Sequence, residues 1–369
     1  MTDGNNNKKK EKRMNRITRR NFVSAMAGAS AAMSLGLRAG QRKEISAVLL
    51  HLGHNLWCDY LPEDMDNDKI LGKDKPDTVL RSKDELWNRA VARMAERKLN
   101  MLVIDIAEGL VYPSHPELAI KGSWTPEKLN AEVRRLRSLG IEAIPKLNFS
   151  TTHNGWMKHY HRMISTDPYY RMCEDIIKDV ADVFEHPRFL HIGYDEERAE
   201  EQLKFHGHRI VIARLKELWE HDFLHIVRAS EKNGMRPWAW ADHGWYNPSF
   251  YDFCPKSVVL SNWYYDVKYA GFDVKTNNTE DKMRLQCFYE LDKRGFDQIP
   301  CGSTWASMAR RRAKVGADDV MGNVVKLCRR DLKQEHILGY LMAPWASCDT
   351  EENLQKNLRA IDLLADAMS

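Results

Sequence analysis

Asp195 and Glu196 stand side by side just past the apolar run Phe189–Ile192, in the segment His191-Ile192-Gly193-Tyr194-Asp195-Glu196-Glu197. Neighbouring strand residues point to opposite faces, so two adjacent acids within a strand buried on both sides would be costly. At the end of the strand the chain twists into a loop, and both carboxyl groups can reach one pocket. A carboxyl group enclosed by aromatic side chains has its pKa raised toward that of a useful general acid. Glu197, one residue further on, reads as an exposed loop acid.

Comparable residues follow the other apolar runs. The first is followed by His51, His54 and Trp57, the second by Asp105 and Glu108, and the third by Asn148, His153 and Trp156. The fifth leads to Trp240, Asp242, His243 and Trp245, and the sixth to Trp263, Tyr264, Tyr265 and Asp266. Trp305 follows the seventh, and Trp345 and Ser347 follow the eighth. Tryptophan faces stack on sugar rings, so a rim rich in Trp and carboxylates points to a carbohydrate ligand. A single Trp is ordinarily a packing residue, as expected of Trp87 and Trp219 in their helical stripes. Trp at the same end of at least five of eight runs is a pattern that packing does not require.

The elements that must position these residues can be read from the same chain. Apolar runs lie at Ala47–Leu52, Met101–Ile106, Glu142–Leu147, Phe189–Ile192, Arg236–Ala241, Val258–Ser261, Phe296–Cys301 and His336–Met342. Amphipathic helical patterns separate them, such as the stripe Leu86, Trp87, Ala90, Val91, Met94. Ser82 with Glu85 forms a capping-box pattern, and Thr125-Pro126 and Asp167-Pro168 each set a capping residue before a proline. Gly140, Gly234 and Gly295 fall where helices must end in a left-handed residue. Near-continuous apolar strands alternating with helices imply a parallel sheet covered on both faces. We expect a (β/α)8 TIM barrel in a single domain over residues 41–369. A doubly wound open sheet is the structural rival, but no Gly-rich phosphate loop follows the first run.

The first 40 residues read as a targeting segment. Eight basic residues precede position 21, Thr18-Arg19-Arg20-Asn21-Phe22-Val23 fits the twin-arginine pattern, and a short apolar stretch runs from Phe22 to Leu37. The expectation is a twin-arginine (Tat) signal over residues 1–40, export by the Tat machinery, and a periplasmic or secreted protein. No stretch is long and apolar enough for a stable membrane span. The chain's net charge is +4, yet residues 1–40 carry nine basic and two acidic side chains, leaving about −3 for the rest. That balance gives no support to nucleic-acid binding. Seven scattered cysteines without a CxxC pair argue against a disulfide scaffold or zinc ribbon. No cofactor is expected.

The segment His191-Ile192-Gly193-Tyr194-Asp195-Glu196 resembles the H-(I/L)-G-G-D-E motif of glycoside hydrolase family 20, the β-N-acetylhexosaminidases. Lys98-Leu99-Asn100-Met101 with His115-Pro116-Glu117-Leu118 resembles that family's second strand and its trailing YPEL. Gly140-Ile141-Glu142-Ala143-Ile144-Pro145 followed by His153 resembles its third strand, and Arg236-Pro237-Trp238 its fifth. The likeness extends over residues 80–245. It implies a retaining glycoside hydrolase acting on a β-linked N-acetylhexosamine-type sugar, in which the substrate's own 2-acetamido group attacks the anomeric carbon. Glu196 would be the general acid/base and Asp195 would orient the acetamido group. Trp240, Trp263 and Trp345 would wall the sugar pocket, and His153 would support the end of strand three. Asp242, Tyr264, Asp266 and Trp305 are further pocket candidates.

The chain also departs from the family. Where strand one of the family supplies a sugar-gripping Arg, it reads His51-Leu52-Gly53-His54, and the eighth-strand W-x-E becomes Trp345-Ala346-Ser347. Tyr194 replaces the second Gly of the motif, which is expected to narrow or reshape the pocket beside Asp195. The Tyr-Asp pairing follows strand six rather than strand seven. Altered sugar specificity is the natural expectation. Two other readings stay open: a metal-dependent barrel enzyme using His51, His54, His153, Asp195, Asp242 and His243, and a non-catalytic carbohydrate-binding barrel.

Overall fold

The computed structural model describes residues 43–57, 75–205, 212, 214–265, 279–305 and 319–369. The expected twin-arginine segment lies outside the described residues. Residues Ile45–Ser369 form one compact unit. Its strands are β1 (Ile45–His51), β2 (Met101–Asp105), β3 (Glu142–Lys146), β4 (Phe189–Gly193), β5 (Arg236–Trp240), β6 (Val259–Ser261), β7 (Cys301–Gly302) and β8 (Gly339–Met342). They pair in parallel in the order β6-β5-β4-β3-β2-β1-β8-β7. Isolated parallel bridges Leu260–Gln298 and Trp263–Cys301 join the two ends. Eight parallel strands thus make a (β/α)8 barrel, as the apolar runs require.

Helices α1 (Asp84–Glu96), α2 (Pro126–Ser138), α3 (Asp167–Val183), α4 (Ala199–Phe205), α5 (Glu217–Lys232), α6 (Thr279–Lys293), α7 (Asp319–Asp331) and α8 (Glu351–Met368) interleave with the strands. The stripe Leu86, Trp87, Ala90, Val91, Met94 is the buried face of α1, and Trp87 Nε1 donates to Glu132 Oε1 of α2 at 2.8 Å. Thr125 caps α2 by accepting from the Lys128 amide at 3.2 Å. The other two caps differ from expectation. α1 begins after Lys83 with no side-chain cap bond, so Ser82 does not close a capping box. Asp167 is the first residue of α3, after an uncapping Thr166. Gly140, Gly234 and Gly295 take φ of +76°, +78° and +72°, the left-handed turns expected of them.

Alternate strand residues fill the barrel's interior. Ile45, Ala47, Leu49, Met101, Val103, Ile144, Phe189, Trp238, Val259, Cys301 and Leu341 belong to that inner core. Two residues further along their strands, the same register delivers His51, Asp105, Lys146 and His191, all buried. The transition from an apolar base to a charged layer occurs at the C-terminal strand ends, where barrel chemistry resides. Six cysteines among the described residues are buried and unpaired. No helix among the described residues is long and apolar enough to cross a membrane.

Candidate active site

The charged layer forms the floor. Lys146 Nζ lies 2.9 Å from Asp105 Oδ2, and His51 Nδ1 lies 3.0 Å from the same oxygen. Burial would raise the Asp105 pKa, but Lys146 and His51 outweigh it and hold the carboxyl well below the ordinary range. His191 sits between Trp238 and Trp240, at centroid distances of 5.0 and 4.6 Å. Burial, and then Lys146, keep its imidazole neutral, far below the usual pKa.

Asp195 and Glu196 rise above this floor because β4 ends in an unusual turn. Gly193, Tyr194 and Glu196 have φ of +72°, +70° and +54°. A Cβ on Gly193 would come within 2.0 Å of Asn148 Oδ1, so both the conformation and the close approach require glycine. The turn aims both acids at the barrel mouth. Asn148 Nδ2 donates to Asp195 Oδ1 at 2.8 Å. His153 Nε2 lies 3.0 Å from Glu196 Oε2 and 3.9 Å from Asp195 Oδ2. The Glu196 amide donates to Asp242 Oδ2 at 2.8 Å, and the Thr152 hydroxyl donates to the Glu196 carbonyl. Glu196 is therefore held at its amide, its carbonyl and its carboxyl.

Burial raises the Asp195 pKa, against opposing pulls from His153 and Lys146. Burial and then the Asp195 charge push Asp242 well above the carboxylate range. Burial alone would lower His153, yet its hydrogen bond with Glu196 and the charge of Asp195 leave it above its usual value. Asp195, Asp242 and His153 thus all hold protons more tightly than their free counterparts, an arrangement suited to acid/base chemistry.

Aromatic rings enclose the acids. Trp57 packs 4.7 Å from His153 and 5.8 Å from Trp345, and Trp345 stands 5.9 Å from Trp240. Trp263 stacks on Tyr265 at 5.0 Å and points Nε1 toward Asp242 Oδ1, 3.4 Å away. Trp345 itself has φ +53° and donates to the Tyr265 hydroxyl at 3.2 Å. The expected Asp195, Glu196, His153, Trp240, Asp242, Trp263 and Trp345 therefore come together. Trp305 lies three residues past β7 with 37% exposure, its amide donating to Ser303 Oγ at 2.9 Å. Asp266 lies outside the described residues.

Several expectations are corrected. Tyr264 packs in the outer core between strands and helices, and Tyr265 turns inward in its place. Tyr194 does not narrow the pocket: its left-handed backbone swings the ring outward against Trp219 (5.4 Å) and Phe223 (5.2 Å). Glu197 is not a solvated acid. Its carboxylate, 7% exposed, meets Arg214, accepts from Trp219 Nε1, and takes the Thr151 amide at 2.7 Å. The histidines of the metal reading do not all converge on the carboxylates, although the His51 and His54 rings lie 4.6 Å apart. His51 faces Asp105, His54 contacts Ser347 Oγ at 3.1 Å, and His243 stacks on Trp219 at 3.6 Å. Among the described residues, His153, Asp195 and Glu196 are the one group of three whose ligand-type atoms all lie within 4.8 Å of one another. Asn148, Trp57, Thr152 and Tyr265 were not singled out as site residues, although Asn148, Trp57 and Tyr265 follow apolar runs as the chosen residues do.

The same arrangement of eight strands and interleaved helices recurs in solved carbohydrate-active enzymes. In fold, the chain is similar to the β-N-acetylhexosaminidases of glycoside hydrolase family 20. A β-N-acetylhexosaminidase from Bacteroides fragilis matches with a TM-score of 0.58 at 11% identity over 87% of this chain and 65% of that one. A family 20 exo-β-N-acetylglucosaminidase from Vibrio harveyi, solved with N-acetylglucosamine, matches at 0.55 and 14% identity over 88% and 54%. Dispersin B matches at 0.51 and 15% identity over 88% and 99%. The chain thus spans less than two thirds of the first two structures and nearly all of the third. At these identities the likeness is one of fold. No protein-family model matches the chain, and no curated protein matches its sequence.

Proposed function

We propose that the protein is a retaining glycoside hydrolase acting on a β-linked 2-acetamido sugar, with Glu196 as general acid/base and Asp195 orienting the acetamido group. The observation that carries this reading is the Asp195–Glu196 pair, gripped by Asn148 and His153 within the Trp57, Trp240, Trp263 and Trp345 enclosure. The fold likeness to enzymes of that activity supports it.

In the first step the acetamido oxygen attacks the anomeric carbon as the glycosidic bond breaks, and Glu196 gives its proton to the leaving oxygen. Asp195 accepts the acetamido N–H and balances the charge that develops in the bicyclic intermediate. In the second step Glu196, now a carboxylate, takes a proton from the water that reopens the ring, giving net retention. The absence of Arg from strand one and Glu from the strand-eight W-x-E leaves the hydroxyl contacts to His54, Ser347 and the Trp walls. A sugar differing in its hydroxyls from the usual family substrate follows. Hydrolysis of aryl β-glycosides by the wild type and by Glu196→Gln tests this reading; plain hexosides would require Asp242 or Asp266 as a second carboxylate. We further propose, from residues 1–40, Tat-dependent export to the periplasm or medium, testable by fractionation of an Arg19→Lys/Arg20→Lys variant.

A second reading has one observation in its favour. His153, Asp195 and Glu196 could hold a divalent ion with one atom each. Elemental analysis of the purified protein and activity after chelation separate it from the first.

A further inference from the structure

Next to the turn that carries Asp195 and Glu196 lies a buried ionic network. The side chains of Arg214, Glu197 and Asp222 are 1%, 7% and 0% exposed. Arg214 Nη2 meets Glu197 Oε1 and also donates to the Phe149 carbonyl at 3.3 Å. Its Nη1 donates to Asp222 Oδ2 at 3.3 Å. Asp222 belongs to α5, and accepts in turn from Ser165 Oγ at 2.5 Å and from the Tyr170 hydroxyl of α3. The guanidinium also lies 5.1 Å from the Tyr194 ring centroid. Burial opposes the Arg214 charge, but its neighbours, Glu197 foremost, outweigh that, and the group stays a cation.

This network joins the loops that meet at the proposed acid. Phe149 and Thr151 follow β3 and come shortly before His153, whose Nε2 lies 3.0 Å from Glu196 Oε2. Glu197 directly follows the acid, and its Oε1 accepts the Thr151 amide at 2.7 Å. Thr152 donates its hydroxyl to the Glu196 carbonyl. Glu197 Oε2 accepts from Trp219 Nε1. Trp219 stacks at 3.6 Å on His243, the neighbour of the Asp242 that takes the Glu196 amide. Arg214 and Glu197 thus tie together the segments that follow β3, β4 and β5.

Stability alone does not call for such a network. A buried ion pair often does no better than apolar packing of the same volume, because desolvation offsets its Coulomb attraction. A guanidinium fork supplies geometry: rigid donors in one plane, here committed to different segments. Geometry is what this turn needs. Tyr194 and Glu196 hold φ of +70° and +54°, conformations that persist only when their surroundings enforce them.

We propose that Arg214 is a positioning residue for catalysis: acting through Glu197, it sets the Glu196 carboxyl against His153 and toward the scissile oxygen. That role rests on the acid/base function given to Glu196 above, and places a further residue one step from the reacting atoms. Two variants test it. Glu197→Gln keeps the side-chain shape, removes the charge and leaves Arg214 its Asp222 partner. Arg214→Lys keeps the charge but replaces the fork with a single nitrogen. On the 4-nitrophenyl 2-acetamido-β-glycoside, each should lower kcat by about tenfold or more and leave KM within about threefold, since the acid is misaligned while the sugar walls remain. The double variant should lose little more than the worse single, because both changes break one linkage; additive losses contradict it. A lowered unfolding midpoint with kcat unchanged in both variants overturns the proposal, as does a loss confined to KM. If Arg214→Lys does not fold, Glu197→Gln alone decides by the same kcat criterion. Amide hydrogen exchange in the free protein gives an answer without turnover. Thr151 and Glu196 should exchange at least about tenfold faster in Glu197→Gln, with the amides of β1 and β8 unchanged; unaltered protection at both contradicts the linkage. A wild type that hydrolyses no aryl glycoside instead overturns the glycosidase reading, and the exchange measurement still decides whether Arg214 and Glu197 hold the turn.

Discussion

The backbone amide of Glu196 donates to Asp242 Oδ2 at 2.8 Å, tying the end of β4 to the end of β5 through the residue that carries the proposed acid. Glu196 holds φ at +54°, a conformation that costs a non-glycine residue on the order of 1–3 kcal/mol and persists only when its surroundings enforce it. Asp242→Ala removes the acceptor and should lower kcat/KM by about 10²-fold with little change in KM, since the acid is misplaced and the sugar walls remain. Asp242→Asn keeps one oxygen for the Glu196 amide and should lose less than the Ala variant. Equal losses in the two variants would show that the carboxyl, and not its hold on the backbone, is what matters.

His153 Nε2 lies 3.0 Å from the Glu196 carboxylate, at Oε2. Replacing it with Ala should reduce kcat on the order of 10²-fold, the usual scale for acid/base support. His153 gains its raised proton affinity, against burial, from Glu196 and Asp195. Protonated, it is a cation beside the acid, and its loss lets the acid keep its proton to higher pH. The alkaline limb of the pH profile should therefore move upward in the variant. A downward shift would contradict this coupling.

Gly193→Ala should damage both stability and activity. The added methyl would sit 2.0 Å from Asn148 Oδ1, at a φ of +72°. Displacing Asn148 releases Asp195, which it holds at 2.8 Å. The expected destabilisation is about 2–4 kcal/mol in denaturant unfolding. A variant of wild-type stability and turnover would mean that this turn does not position Asp195.

The described structure contains a second titratable feature, apart from the Asp195–Glu196 pair. Glu108 is fully buried and accepts the Asn55 amide, and burial raises its pKa to about 7. The folded state then holds a proton that the unfolded chain releases near the ordinary Glu value. The corresponding stability is complete below that value and is lost as pH rises toward about 7. Glu108→Gln keeps the acceptor and removes the titration. Its Tm relative to wild type should be higher at pH 8 than at pH 5; parallel curves would contradict the sign.

The barrel was legible because strands buried on both faces write themselves as continuous apolar runs, and left-handed helix ends announce themselves through Gly140, Gly234 and Gly295. The clustering of the site was legible too, since parallel strands bring all their C-terminal ends to one rim. What failed was orientation over one residue. Tyr264 and Tyr265 exchange roles because successive extended residues face opposite sides. Tyr194 leaves the pocket because two left-handed residues turn it outward. Glu197 looked solvated because its partner Arg214 lies 17 residues downstream, outside any periodic pattern. Ser82 and Asp167 had the composition of caps, but α1 and α3 begin at Asp84 and Asp167 themselves.

The central claim is that Glu196 delivers the proton while the substrate's acetamido group replaces an enzyme nucleophile. The most direct measurement is the hydrolysis of paired aryl β-glycosides, with and without the 2-acetamido group, by wild type and Glu196→Gln. The account predicts turnover of the acetamido substrate alone, and a loss of at least about 10³-fold in Glu196→Gln, with sugar binding within a few-fold of wild type. Equal cleavage of the plain glycoside, or undiminished turnover in Glu196→Gln, would contradict it.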